Sequence, residues 1–168
     1  MNEKKWLCKT ILYFVAVLVL FAAVTVVVDP YFHYHKPIEG TSYRLYEERY
    51  INDGIARNFD FDAVIVGAST VENFKTSEFN ELFICNAVKL PFSGGSYRES
   101  SQVLQTVFSH KKEIKKVLWG LDWTLIIAEP DYRQYEDYPM YLYDNKVWND
   151  VNYVLNKEIM YHGTLNNI

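Results

Sequence analysis

From Thr10 to Val28 no residue is charged, and nearly every one is Val, Leu, Ala, Phe or Ile. A helix of about 20 such residues matches the hydrocarbon thickness of a bilayer. A buried helix of a soluble protein would show polar positions along one face, whereas this run offers only Thr10, Tyr13 and Thr25. Trp6 at one end and Tyr31-Phe32 at the other suit the two membrane interfaces. Lys4, Lys5 and Lys9 precede the run and Asp29 follows it, which puts the N-terminus in the cytoplasm and the main domain outside. A cleaved signal peptide is the competing reading, with an apolar core of ~7–15 residues before a small-x-small cleavage site. Here the run is longer and ends in Val26-Val27-Val28-Asp29-Pro30, while Ala22-Ala23-Val24 makes a poor site, so an uncleaved signal anchor is preferred. Cys8 stands before the apolar core and does not read as a lipoprotein cysteine.

The expected organisation is a cytoplasmic tail (1–9), a transmembrane anchor (10–28), a juxtamembrane segment with an amphipathic helix (29–58) and an α/β domain (59–168). What 168 residues leave after the anchor can bury one core but is short for a complete α/β enzyme. Net charge is −4, and Lys111-Lys112-Glu113-Ile114-Lys115-Lys116 is the basic cluster. It reads as a solvated helix end, so nucleic acid is not an expected partner. Cys8 and Cys85 fall on opposite sides of the anchor, which forbids a bridge, and no Cys/His zinc spacing occurs. The 14 tyrosines concentrate, with the other rings, in Tyr31–Tyr50 and Trp119–Tyr161. Ordinary half-buried packing accounts for them, and a membrane interface or a sugar-binding surface is the functional alternative.

After the anchor, Pro30 and Pro37 stiffen an exit segment carrying His33 and His35. Two apart on an extended chain, these imidazoles face one way, but with no third ligand in view a structural role outweighs metal binding. Tyr43 to Arg57 has helical apolar spacing, with Asn52-Asp53-Gly54 ending or interrupting it. Next comes Asp60-Phe61-Asp62-Ala63-Val64-Ile65-Val66-Gly67-Ala68-Ser69, a buried parallel strand that stops at a glycine with a serine two positions on. Thr76–Phe83 is expected as a short helix and Ile84–Val88 as a second strand, followed by the loop Lys89–Ser96 with its Gly94-Gly95 pair. Ser96 and Glu99 match a capping box, starting a helix that runs from Tyr97 to about Phe108. Lys115–Asp122 is the third strand. Leu125–Ala128 is a possible continuation, Glu129-Pro130-Asp131 a turn and Tyr132–Tyr143 an aromatic, acidic loop. Asn145–Met160 is expected as a helix with Val147, Trp148, Val151, Val154, Leu155 and Ile159 on one face, and Gly163–Ile168 as a loop.

Ser69, Gly94/Gly95 and Asp122 each follow the carboxyl end of an expected strand, which would bring them to one edge of a parallel sheet. Acyl transfer needs a serine with a base in reach, and backbone N–H groups aimed at the oxyanion. Val71, two after the serine, departs from the Gly-x-Ser-x-Gly elbow and disfavours an ordinary α/β-hydrolase. The alternative role for Ser69 is a helix N-cap.

From Phe61 to Trp123 the chain resembles the SGNH (GDSL-like) hydrolase superfamily, especially its membrane-anchored bacterial branch acting on cell-envelope polymers. Val64-Ile65-Val66-Gly67-Ala68-Ser69 is similar to the first block, which implies Ser69 as nucleophile. The glycine block, one oxyanion donor, falls on Gly94 or Gly95, with Asn86 similar to the residue that opens its strand. The third block departs: Gly120-Leu121-Asp122 stands where Gly-x-Asn is expected, and a carboxylate donates no hydrogen bond to an oxyanion unless protonated. The family's Asp-x-x-His base is not found after Asp122, so the chain is read as the N-terminal portion of a longer protein or a truncated product.

The resemblance implies a membrane helix followed by an incomplete three-layer α/β/α parallel-sheet domain. It implies a single-pass extracytoplasmic esterase or O-acyltransferase acting on cell-surface polysaccharide, with no cofactor or metal required. The alternative is a non-catalytic, membrane-tethered glycan-binding or assembly protein with a degenerate SGNH fold.

Overall fold

The computed structural model describes residues 3–40, 47–123, 138–144 and 146–164. Two compact units divide them: residues 3–30, 37–40 and 146–164 group in one, and residues 31–36, 47–123 and 138–144 in the other.

The first unit is built on helix α1, Glu3–Val28, which is long and apolar enough to cross a membrane, with a mean hydropathy of 3.0. Only its last turn is covered. There Thr25 and Asp29 are buried, and the Tyr153 hydroxyl donates to Asp29 Oδ1 at 2.8 Å. The helix expected over Asn145–Met160 is instead three short pieces: a 3-10 turn at Val147–Asn149, a helix at Val151–Val154 and a π turn at Ile159–Thr164. Local bonding explains the break. The Asn156 side chain accepts the N–H of Glu158 at 2.9 Å, a turn that competes with a continuous helical ladder. Burial follows the expected face only in part, since Ile159 belongs to it and Tyr153 does not. Tyr153 and Ile159 are covered, whereas Val147 and Trp148 are 81% and 77% exposed.

The second unit is a three-stranded parallel sheet of order β2-β1-β3, made of β1 (Ala63–Ala68), β2 (Ala87–Phe92) and β3 (Lys116–Gly120). Strand β1 is central and buried throughout, as its β-branched run implies. Its side chains alternate between two cores. Val64 and Val66 join Leu90, Phe92, Val103 and Val107 on one face, and Ala63 and Ile65 join Val71 and Phe79 on the other. Helices α2 (Glu48–Asn58) and α4 (Tyr97–His110) supply Ala56, Val103, Leu104 and Val107 to the first core. Helix α3 (Thr76–Phe83) supplies Phe79 to the second.

Three element boundaries differ from the sequence expectation. Helix α2 runs straight through Asn52-Asp53-Gly54, because tertiary partners offset the poor helix propensity of these residues. The Asn52 amide donates to the Pro91 carbonyl at 2.6 Å, and Asp53 accepts the Arg57 guanidinium. Gly54 gives room to backbone: a Cβ there would lie 2.1 Å from the Tyr31 carbonyl oxygen. Strand β2 begins at Ala87, three residues later than expected, because Ile84 closes α3 in the left-handed conformation (φ 51°). The strand continues through Pro91, whose missing N–H is tolerated at the outer side of an edge strand. Strand β3 ends at Gly120, so Asp122 lies just past it. Leu125–Ala128, Glu129-Pro130-Asp131 and the first part of the Tyr132–Tyr143 loop fall outside the described residues. The rest of that loop holds a 3-10 turn, Met140–Leu142.

Helix α4 starts at Ser96 with the expected capping box: Glu99 N–H donates to Ser96 Oγ at 3.3 Å, and Ser96 N–H to Glu99 Oε2 at 2.7 Å. The basic run after α4 is neutralised locally. Lys111 Nζ donates to the Arg57 carbonyl at 2.7 Å and lies 5.1 Å over the Phe61 ring, while Lys115 pairs with Asp62 at 2.8 Å.

Candidate functional site

The parallel register puts the carboxyl ends of all three strands on one edge, with Ala68 beside Phe92 and Gly67 beside Gly120. Ser69 follows β1, Ser93-Gly94-Gly95 follows β2, and Asp122 follows β3. This is the crevice position where open α/β sheets hold ligands.

Two glycines shape the turn that carries Ser69. A Cβ on Gly67 would lie 2.7 Å from Val71 Cγ1, and one on Gly120 only 2.4 Å from it. The pair opens a slot for the buried Val71 side chain. Val71 pins the 3-10 turn Ser69–Asn73 to the sheet, leaving Ser69, Thr70 and Glu72 facing solvent. Ser69 is not an N-cap. It is the first residue of the turn itself, Ala68 precedes it, and no side-chain capping bond forms. Among the described residues the Ser69 hydroxyl makes no hydrogen bond, and its N–H stands where a helical turn has no internal acceptor.

The two loop glycines are not equivalent. Gly95 N–H donates to the Phe92 carbonyl at 2.7 Å, and a Cβ on Gly95 would lie 2.4 Å from Phe92 Cβ. Its N–H is therefore committed to the turn. Gly94 takes a left-handed φ of 59° and is exposed. Of the two, Gly94 is the one whose N–H remains available to an anion.

The same edge holds groups with no local sequence signal. Ser93 N–H donates to Glu48 Oε2 at 2.6 Å, and its hydroxyl lies 2.9 Å from Glu72 Oε1 and 3.2 Å from Glu48 Oε1. One hydroxyl proton serves two carboxylates in turn. Arg49 binds the Ser93 carbonyl at 3.0 Å and Glu99 at 2.7 Å, fixing the loop to α2 and α4. Glu72 lies three residues after Ser69. Glu48 and Arg49 reach the loop across more than forty residues.

No described imidazole of this unit stands at that edge. His110 caps the far end of α4, where Nδ1 meets the Thr106 carbonyl at 2.9 Å and Nε2 lies 3.4 Å from Arg57 Nη1. His33 packs on Tyr34 with ring centroids 4.8 Å apart, and its carbonyl meets the Asn58 amide at the end of α2. His35 Nδ1 lies 2.6 Å from the Lys36 carbonyl. Among the described residues no three His, Cys, Asp or Glu side chains converge as a metal would require.

Beside the edge, a groove of about 540 Å³ runs along α4, lined by Tyr97, Arg98, Gln102, Gln105, His110 and Tyr143 among others. At its head Tyr97 stacks on Trp119 with centroids 5.0 Å apart. Tyr143 donates its hydroxyl to the Arg49 carbonyl at 2.7 Å, and burial raises its pKa well above the ordinary phenol value, so it stays protonated. No family model, no curated protein and no solved structure matches this chain.

Proposed function

We propose that this chain is a membrane-anchored, SGNH-type serine esterase or O-acyltransferase module acting on acyl esters of cell-envelope polysaccharide. One observation carries the reading. Ser69 projects, exposed and without a hydrogen-bond partner among the described residues, from the end of the central parallel strand, beside the glycine loop of the neighbouring strand. In this mechanism Ser69 Oγ attacks the acyl carbonyl, and the N–H groups of Ser69 and Gly94 receive the oxyanion. A base other than the described histidines takes the Ser69 proton and returns it to the departing sugar alkoxide as the ester bond breaks. The acyl-serine ester is then cleaved by water or by a second sugar hydroxyl, which frees Ser69. Helix α1 is the single-pass bilayer anchor, with Lys4, Lys5 and Lys9 on the cytoplasmic side and the α/β unit outside.

The second reading is a non-catalytic, membrane-tethered glycan-binding protein. The amide- and aromatic-lined groove along α4 and the carboxylate of Asp122 in place of an amide favour it.

The test is fluorophosphonate labelling of the full chain in vesicles, with the adduct mapped by mass spectrometry. A label on Ser69, abolished in Ser69→Ala together with ester turnover, supports the enzyme. An unlabelled Ser69 with ester turnover equal in both proteins sinks it.

A further inference from the structure

The amino-terminal part of the apolar face expected over residues 145–160 is solvent-exposed. Val147 is 81% exposed, Trp148 77% and Val151 50%. Farther along the segment Tyr153 and Ile159 are buried, and Tyr153 is tied by its hydroxyl to Asp29, directly after the last turn of α1. A single short segment thus clamps the end of the apolar helix and turns a row of large apolar side chains outward.

Its height relative to a bilayer follows from α1. At 1.5 Å per residue the 26 residues of α1 span about 39 Å, of which the uncharged part covers a hydrocarbon core of about 30 Å. Val28 and Asp29 then sit at the hydrocarbon boundary, and whatever bonds to Asp29 sits in the headgroup layer. Amphipathic segments at that level bury their apolar side chains about 5–10 Å deep, and tryptophan favours that layer. The exposed apolar surface of α1, including Leu20 at 63% and Val27 at 63%, continues into the same region.

We infer that residues 147–155 form an interfacial membrane foot: Val147, Trp148 and Val151 insert into the headgroup–acyl boundary of the leaflet from which α1 emerges. The inference rests on the proposed membrane anchor. The foot gives the anchor a second point of contact and restrains its rotation about the membrane normal.

The test is depth measurement by nitroxide collision in vesicles of phosphatidylcholine and phosphatidylglycerol, using the full chain in a Cys8→Ser, Cys85→Ser background. Labels go singly on Val147→Cys, Trp148→Cys, Leu20→Cys and Lys157→Cys, the last being a 91% exposed charged side chain of the same segment. The expected result is an oxygen-to-nickel collision ratio severalfold higher at 147 and 148 than at 157, with position 20 higher still. Position 147 and 148 ratios equal to that at 157, with position 20 deep, overturn the foot and leave the anchor standing. A nickel-accessible position 20 overturns both. Spin–spin broadening at 147 and 148 that disappears on dilution with unlabelled protein assigns the face to a second copy and overturns the foot.

Discussion

Arg57→Ala exposes the most consequential polar interaction in the α/β unit. Arg57 Nε donates to Asp53 Oδ2 at 2.5 Å, one helical turn away, and the two side chains are 14% and 0% exposed. Thr106 supplies the other oxygen of Asp53 with a hydroxyl at 3.0 Å, and Arg57 Nη2 reaches the Asp144 carbonyl at 3.1 Å. Truncating Arg57 leaves a buried carboxylate with the Thr106 hydroxyl but without its guanidinium partner, which costs about 3–5 kcal/mol. Removing both charges, as Asp53→Asn with Arg57→Ala, avoids the stranded charge and costs only about 1–3 kcal/mol.

The pH dependence separates this cause from simple loss of packing. Burial holds the Asp53 pKa above its ordinary 3.8, against the lowering effects of Arg57 and Thr106. A raised native pKa means that the folded state binds the proton more tightly than the unfolded chain. The stability Asp53 contributes is therefore present below 3.8 and declines as pH rises through the raised value. Arg57→Ala raises that value further and widens the window. Urea unfolding of the full chain in detergent micelles, followed by near-ultraviolet circular dichroism from pH 4.5 to 7.5, reads this out. The gap between wild type and Arg57→Ala should be largest at the neutral end and shrink toward acid, while the double variant, with no carboxyl at position 53, loses the Asp53-linked decline altogether. A neutral-pH loss below about 1 kcal/mol, or a gap independent of pH, refutes the reasoning.

Ser96→Ala removes the hydroxyl half of the capping box and costs about 1 kcal/mol in the same assay, while Glu99 keeps its bond to Arg49. Gly120→Ala drives a Cβ to 2.4 Å from Val71 Cγ1, and such overpacking costs about 1–3 kcal/mol. Adding Val71→Ala recovers part of that loss; no recovery removes the slot as the cause. Tyr153→Phe leaves the buried Asp29 carboxylate without its hydroxyl donor and destabilises the clamp on α1 by about 1–3 kcal/mol, read as faster amide exchange over 151–164. If Ser69 performs acyl transfer, Asp122→Asn supplies the missing side-chain donor and raises kcat by up to about 10²-fold. An unchanged kcat removes Asp122 from the oxyanion site.

The parts of the fold legible in the chain were those whose cause is local. The uncharged run became α1, the β-branched run after Asp62 became the central strand, and Thr76–Phe83 and the Ser96/Glu99 box became helices where expected. Misplaced elements were those where a distant partner outweighs local propensity. Asn52-Asp53-Gly54 reads as a stop signal, yet Pro91, Thr106 and the Tyr31–Phe32 backbone hold it helical. Of the candidate site, Ser69, the glycine pair and Asp122 were found at strand ends, as the spacing of elements requires. The difference between Gly94 and Gly95 lay in one hydrogen bond to Phe92 that composition does not reveal.

By itself, then, the sequence determined a helix able to span a bilayer, a buried parallel strand ending in a serine, and the start of α4. Each follows from hydropathy, branching or capping within a few residues. Tertiary structure alone decided that Glu48 and Glu72 share the Ser93 hydroxyl, 45 and 21 residues away, and that Tyr153 closes over Asp29 from 124 residues away. A hydrogen bond forms between groups that meet in space, and chain separation leaves no imprint on local pattern. Only the packed sheet and the clamped helix end bring those groups within reach.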